Sequence, residues 1–366
     1  MANGSSFGNL FTITTWGESH GKGVGVVIDG CPAGISLCEE DIQIDLDKRK
    51  PGQSVFSTPR KESDKVEILS GVFDGKTTGT PISLIVYNNN QQSKDYSDIA
   101  KHYRPGHADL TYDYKYGFRD YRGGGRSSGR ETIGRVAGGA IAKKILKELS
   151  VEITTYTKSI DNITIDENLF DKNEIYNNPL CFPDKSCVKK AENYLLNLIK
   201  EGNSAGGIIE CTVDNLPAGI GEPVFDRLDA MLSKAIMSIG SVKGIEIGNG
   251  FQVASTTGLE NNDFYHYDNN KIVKETNNAG GILGGISDGS KIILRAAIKP
   301  TPSIKLTQQT IDKEGNNIDI NIKGRHDPII VPRAVIVVES MVAITLVDML
   351  LINMTSKIEN IKTLYL

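Results

Sequence analysis

Three of the five histidines in this 366-residue chain stand in polar turns flanked by glycine or proline: His20 in G-E-S-H-G, His107 in R-P-G-H-A-D and His326 in G-R-H-D-P. Backbone punctuated in this way aims a side chain, and imidazole is the group that exchanges protons near neutral pH. For any one of the three, a simply exposed turn histidine is the alternative. G-E-S-H-G is not a hydrolase elbow, since it lacks a strong strand before it and a helix after it. None of the three is paired with another histidine or a cysteine at i+2 or i+4, so the spacing is a weak signal for a metal site.

The densest chemistry lies between His102 and Arg135. Seven basic residues (Arg104, Lys115, Arg119, Arg122, Arg126, Arg130, Arg135) face four acidic ones there, a local charge of +3 in a chain whose formal charge is -4. Gly123 to Gly125 precede Arg126, Ser127 and Ser128, and apolar residues then recur at helical spacing from Ile133 to Leu149. A glycine loop that feeds a helix presents unpaired N-H groups to an anion. G-G-G-R-S-S-G-R lacks the lysine of a nucleotide P-loop. Such a run is equally compatible with a flexible surface loop or an RNA-binding tail.

Further backbone donors come from Gly240 to Gly244 and from Ala279 to Gly285. Lys299, Pro300, Thr301, Pro302 and Ser303 add an ammonium and hydroxyls. Several anion loops in an acidic protein imply more than one phosphate, as in a phosphorylated cofactor with a phosphorylated or carboxylated substrate.

These groups need a scaffold. Leu10 to Ile28 reads as a strand, a functional turn and a second strand. Glu39 to Arg49 reads as a helix stopped at Pro51, and Val66 to Val72 and Ile82 to Tyr87 as strands. The order recurs in the second half. Ile208 to Val213 is a strand running into D-N-L-P-A-G-I, an echo of D-G-C-P-A-G-I, and Phe225 to Ile239 is a helix. The G-I-E-I strand follows, and later the strand Lys291 to Ile298. The echo points to two pseudo-repeated halves in a single domain spanning 1-366. Residues 151-204 are polar and Asn-rich, which predicts a surface insertion tolerant of change. It carries one helix, Ser186 to Glu201, capped by Ser186 and stopped by Gly202. Ala334 to Ile352 is apolar but interrupted by Glu339 and Asp348, which favours a buried helix over a membrane span.

Composition sets the remaining bounds. Hydrophobic residues make up 39% and charged residues 23%, as in an ordinary globular protein, and a pI near 5.8 disfavours nucleic-acid binding as the main task. The five cysteines include no C-x-x-C pair, and the first residues lack a signal-peptide pattern, so a reducing, cytoplasmic location is expected.

Three runs, F-G-N-L-F-T-I-T-T-W-G-E-S-H-G, R-P-G-H-A-D through G-G-G-R-S-S-G-R-E-T, and G-R-H-D-P-I-I-V-P-R-A-V, resemble the three signatures of the chorismate synthase family, in order along the chain. The resemblance implies an α+β fold, a β-α-β sandwich with helices packed between two sheets, and a homotetramer. It implies an anti-1,4-elimination of phosphate from 5-enolpyruvylshikimate 3-phosphate to give chorismate, dependent on reduced FMN (FMNH2) without net redox change. Neither a nucleic acid nor a membrane is implied as a partner.

By this resemblance His20 protonates the departing phosphate, His107 sits against the flavin, and Asp327 acts in removing the C6 hydrogen. Arg126, Ser127, Ser128, Gly240, Ser241, Gly284, Lys299 to Ser303 and Arg325 match the flavin-binding positions. Arg49 and Arg104 match basic residues on the substrate or NADP side. No G-x-G-x-x-G follows a strand, so an external flavin reductant is expected. Two positions depart from the family. Val55 stands where an arginine is frequent, its contact then missing or taken by Arg60 or Lys61, and Gly240-Ser241 replaces Asn-Ala. The competing readings are an RNA-binding module built on Y-G-F-R-D-Y-R-G-G-G-R and a flavin-dependent reductase.

Overall fold

The computed structural model describes residues 4-58, 62-88, 100-269, 271-322 and 327-366. Alternating apolar residues make the first sheet from β1 (Ser6–Phe7), β2 (Thr12–Gly17) and β3 (Gly23–Asp29). Helix α1 (Glu39–Arg49) follows, with three acids in its first turn and Lys48 and Arg49 in its last, the arrangement the helix dipole favours. Then come β4 (Val66–Ser70), a small hairpin of β5 (Val72–Phe73) and β6 (Lys76–Thr77), and β7 (Ile82–Tyr87). The strand order is β1-β2-β3-β7-β4, antiparallel throughout. Helices α2 (Asp109–Tyr116) and α3 (Thr132–Glu148) complete this half.

The second half repeats the plan. It contains β8 (Glu152–Ile160), β9 (Ile163–Thr164), α4 (Lys185–Glu201), β10 (Gly207–Asp214), α5 (Leu228–Met237) and β11 (Val242–Ile247). A short helix α6 (Gly258–Asn261) and the hairpin β12 (Tyr265–Asp268) and β13 (Lys271–Lys274) lead to a second small hairpin, β14 (Ile282–Leu283) and β15 (Ile286–Ser287), then β16 (Ile292–Ile298). The hairpin β17 (Gln308–Ile311) and β18 (Asn317–Ile320) precedes α7 (Val331–Asn353) and α8 (Ile358–Tyr365). Sheet order is β11-β16-β10-β8-β9, so β8, β10, β16 and β11 take the places of β2, β3, β7 and β4.

The P-A-G-I echo is part of this repeat. Thr77 donates its hydroxyl to the Pro32 carbonyl (2.7 Å) and accepts from the Ile35 N-H (3.0 Å). Ser287 donates to the Pro217 carbonyl (2.6 Å) and accepts from the Ile220 N-H (2.9 Å). Equivalent hydroxyls therefore lock equivalent turns.

Between the sheets, α3 lies on β2 and β3, α7 lies on β8 and β10, and the two helices pack on each other. Small residues allow both contacts at once. A Cβ at Gly134 or Gly138 would come within 2.9 Å of Thr15 or Ile13 on the sheet, and one at Gly139 within 2.2 Å of the Ser340 Cβ on α7. Overpacking of this kind costs roughly 1-3 kcal/mol. The small stripe of α3 is thus occupied inside the chain.

Helix α7 is long and apolar enough to cross a bilayer, but most of it is buried in the helical layer. Its two acids have defined partners. Asp348 accepts from the N-H groups of Asn9, Leu10 and Phe11 at 2.7-3.0 Å, tying down the N-terminal segment. Glu339 accepts from Lys143 on α3 at 2.6 Å.

Two expectations are corrected. Residues 151-204 are not a surface insertion throughout, because β8 pairs with β10 inside the second sheet and Tyr156, Ile160, Leu180, Phe182 and Leu195 are buried. The polar loops of this segment dilute the apolar residues of its strand and helix. Helix α4 is capped by Asp184, whose carboxylate accepts from the Ser186 N-H (2.8 Å), not by Ser186; Gly202 does end it, in a left-handed conformation.

Candidate active site

The turn between β2 and β3 carries His20, and three segments hold it. Ser19 Oγ lies 3.0 Å from His20 Nδ1. Asn88, just past β7, donates its amide to the carbonyls of Glu18 (3.0 Å) and Gly21 (2.9 Å). Gly123 packs directly on the imidazole, where a Cβ would fall 2.4 Å from Cε1 and Nδ1. The triple-glycine loop is therefore the wall against which His20 rests.

Arg126 fastens that loop to β2. Its guanidinium donates to the carbonyls of Gly17 (3.2 Å) and Thr15 (3.0 Å) and to Thr15 Oγ1 (2.7 Å), and Thr15 donates onward to Glu131 (2.8 Å). Ser127 donates to the Gly124 carbonyl at 2.6 Å, and Ser128 accepts from the Arg130 N-H at 3.3 Å. The side chains of this run build the loop.

Behind the loop lies a buried charge network. Arg130 donates to Asn88 Oδ1 (2.8 Å) and to Asp64 Oδ1 (2.9 Å). Arg49, fully buried, donates to Asp64 Oδ2 and to the Gly129 carbonyl (3.1 Å). Burial raises the Asp64 carboxyl, but the guanidinia of Arg49 and Arg130 outweigh it and hold the group below its ordinary value. Arg333 of α7 donates to the Arg49 carbonyl (3.0 Å) and to Asp327 Oδ2 (2.7 Å), while Asp327 Oδ1 accepts from the Thr58 N-H (2.8 Å). Hydrogen bonds thus run from the His20 turn to Asp327 through Asn88, Arg130, Asp64, Arg49 and Arg333.

A second cluster forms around His107, whose Nε2 lies 2.7 Å from Ser303 Oγ. Lys299 Nζ donates to the Gly106 carbonyl (2.8 Å), and its N-H donates to the Ser241 carbonyl (3.0 Å). Ser241 holds a left-handed φ of 76°. Burial and the nearby Lys243 push the Lys299 ammonium below its usual value, and the buried Thr301 hydroxyl has no hydrogen-bond partner among the described residues. A cation and an orphaned hydroxyl suit a phosphorylated ligand, and Ser241 and the run Lys299, Pro300, Thr301, Pro302 and Ser303 could hold one here. Ser204 donates to the Thr301 carbonyl (2.7 Å) and the Ala205 N-H to the Pro328 carbonyl (3.0 Å), which joins this cluster to the Asp327 segment.

The other expected positions divide. Gly240 borders this cluster in sequence and has open space where a Cβ would be. Gly284 turns the β14-β15 hairpin, whose Gly285 carbonyl accepts from the Leu228 N-H (2.8 Å) at the start of α5. Arg104 is buried and donates twice to Asp109, at 2.8 Å each, so it builds the start of α2; Arg119 also pairs with Asp109, at 3.0 Å. Val55 is exposed. Arg325, with Arg60, Lys61 and His326, lies outside the described residues.

Arg104, Arg119 and Arg130 point inward, with side chains no more than 7% exposed, and are engaged by Asp109 and Asp64, whereas Arg122, Tyr116, Phe118 and Tyr121 of the same stretch are exposed. Sequence reasoning did not assign Asp64, Asn88 or Arg333 to the site. Arg333 lay within the third signature, but Asp64 and Asn88 stand in ordinary polar contexts without a signal.

Comparisons with known proteins agree with this geometry. A family model described as chorismate synthase matches residues 11-351. The chain is 64% identical over 362 residues to a chorismate synthase of Agathobacter rectalis and 65% identical over 364 residues to one of Lachnoclostridium phytofermentans, with 99% of each chain covered. A chorismate synthase of Methanocaldococcus jannaschii is 52% identical, with 95% of this chain and 96% of that one covered. A crystal structure of chorismate synthase superposes with a TM-score of 0.77 at 31% identity, covering 97% of this chain and 96% of that one. The sheet-helix-sheet fold, the joined signature segments and these matches place this chain in the chorismate synthase family.

Proposed function

We propose that the chain catalyses the anti-1,4-elimination of phosphate from 5-enolpyruvylshikimate 3-phosphate, a lyase reaction that yields chorismate in the shikimate pathway. The reading rests on family membership, and one observation carries it to this site: three segments far apart in sequence meet in one hydrogen-bonded array. The His20 turn, the basic glycine loop and Asp327 are its working parts.

The reaction breaks the C3-O bond, whose electrons leave with phosphate, and the C6-H bond, whose electrons end in the new double bond; a proton is released. Reduced FMN, when bound, supplies the electron density that lets this unactivated C-H bond break, with no net oxidation. Lys299 to Ser303, with Ser241, would hold its phosphate and ribityl chain, and His107 would face its ring. His20, seated on Gly123 and held by Ser19, gives a proton to the departing phosphate. The buried arginines stabilise the charge that develops there, because a water-poor site strengthens each interaction. Asp327, fixed between the Thr58 N-H and Arg333, takes up the hydrogen lost from C6 as a proton.

In this reading the enzyme is a cytoplasmic homotetramer supplied by an external flavin reductant. Sedimentation of the purified protein as a monomer at micromolar concentration would overturn the assembly. The activity is tested by anaerobic incubation with the substrate and FMN, oxidised or chemically reduced. Chorismate and phosphate are expected in equal amounts with reduced FMN alone. Product with oxidised FMN, or none with reduced FMN, overturns the reading.

A further inference from the structure

Asp64 stands where the His20 and Asp327 branches of the network meet, although it hydrogen-bonds to neither residue. Its side chain is wholly buried and its backbone is left-handed, with φ of 45°. A non-glycine residue keeps that conformation where surrounding contacts fix it. Those contacts are two guanidinia, Arg49 on Oδ2 and Arg130 on Oδ1, and the Gln43 amide, which donates to the Asp64 carbonyl (3.2 Å).

Glu62 also pairs with Arg130, but at 3.9 Å, so Asp64 is the carboxylate that hydrogen-bonds to both buried cations. Among the described residues, the buried Arg49 Nε and Arg130 Nη2 have no hydrogen-bond partner. Such donors are costly to leave unpaired and persist where a ligand supplies the acceptor. Burial, with Arg333 and Arg130 close by, pushes the Arg49 guanidinium down to about 10 despite Asp64.

We propose that Asp64 is a positioning residue: it fixes the planes of Arg49 and Arg130 so that Arg49 Nε and Arg130 Nη2 form a preset donor pair for an oxyanion of the substrate. The inference rests on the functional reading above and assigns Asp64 no part in the chemical step. Removing a carboxylate from between two buried cations also threatens folding, so two variants are needed. Asp64→Asn keeps shape and tolerates the left-handed backbone, and Asp64→Glu keeps the charge but shifts it by one methylene.

Calorimetric titration of wild type and both variants with the substrate, with shikimate 3-phosphate and with shikimate isolates the effect, and FMN is titrated in parallel. Substrate Kd is expected to rise at least about tenfold in both variants, with FMN affinity unchanged. If shikimate 3-phosphate weakens and shikimate does not, the oxyanion is the phosphate; if both weaken, it is the carboxylate. Unchanged substrate affinity in either folded variant, or substrate and FMN affinity lost together, overturns the assignment. Wild-type turnover is measured on the same samples. An active wild type with indifferent variants overturns the role of Asp64 alone, and an inactive wild type overturns the functional reading and this inference with it.

Discussion

His107 Nε2 and the Ser303 hydroxyl lie 2.7 Å apart across 196 residues of chain. This contact seats the R-P-G-H turn on the K-P-T-P-S run, and Gly106 packs so closely on Pro302 that a Cβ would come within 2.7 Å of it. If the two segments form one flavin-binding unit, His107→Ala and Ser303→Ala are not independent. A double-mutant cycle on FMN affinity is expected to give a coupling of about 1 kcal/mol. Additive losses would show that the contact does not act in flavin binding.

Asp327 is held by a backbone N-H and by Arg333, so replacing it with asparagine preserves shape and the acceptor for Thr58. Turnover is expected to fall about 10²- to 10⁴-fold, the usual worth of one acid-base group, with substrate and FMN still bound. A purely structural role for the Arg333 pair predicts the reverse: a lower melting temperature and weaker binding, with an unchanged single-turnover rate at saturation. That rate decides between them.

Much of this arrangement was legible in the sequence because its signals were local. Alternation marked β2, β3, β7 and β16, Pro51 and Gly202 marked helix ends, and the P-A-G-I echo marked a repeat that the strand orders bear out. Interactions that depend on distant partners left no such mark. Asp64 pairs with Arg130, 66 residues on, and Arg49 meets Arg333, 284 residues on. Neither spacing follows a helical or strand period. The resemblance assigned Arg49 and Arg104 to the substrate or NADP side, but a sequence does not show which carboxylate folds onto a guanidinium. β8 was hidden for a different reason, since polar threonines fill much of E-I-T-T-Y-T-K-S-I and Asn-rich loops follow it.

Gly123 supports His20 by lacking a side chain. A Cβ there would sit 2.4 Å from two ring atoms, so Gly123→Ala is expected to displace the imidazole. An error of about 1 Å in a catalytic group costs on the order of 10²-fold in rate. Steady-state kinetics should show that loss in kcat, accompanied by a modest fall in melting temperature because Gly123 has a φ of 155° that alanine adopts only with strain. Unchanged turnover would mean that the position of His20 is unimportant.

Asp64 also shapes stability in acid. Its carboxyl is held below 3.8 in the fold, so from about pH 4 downward the unfolded chain binds protons more readily. The stabilisation is complete above that unfolded value and is lost as pH falls through the lower folded value. Denaturant titrations from neutral pH downward should therefore show Asp64→Asn less stable at neutral pH. Its stability should also depend less steeply on pH than that of wild type below about pH 4. Parallel curves for the two proteins would show that Asp64 does not titrate with folding.

The central claim is an elimination that needs reduced flavin but does not consume it. Its most direct test is the stoichiometry of an anaerobic reaction containing purified protein, a measured limiting amount of reduced FMN and excess 5-enolpyruvylshikimate 3-phosphate. Many equivalents of chorismate per reduced flavin, with the flavin still reduced at the end, are expected. At most one equivalent of a reduced product in place of chorismate, with matching flavin oxidation, would contradict the account and identify a flavin-dependent reductase.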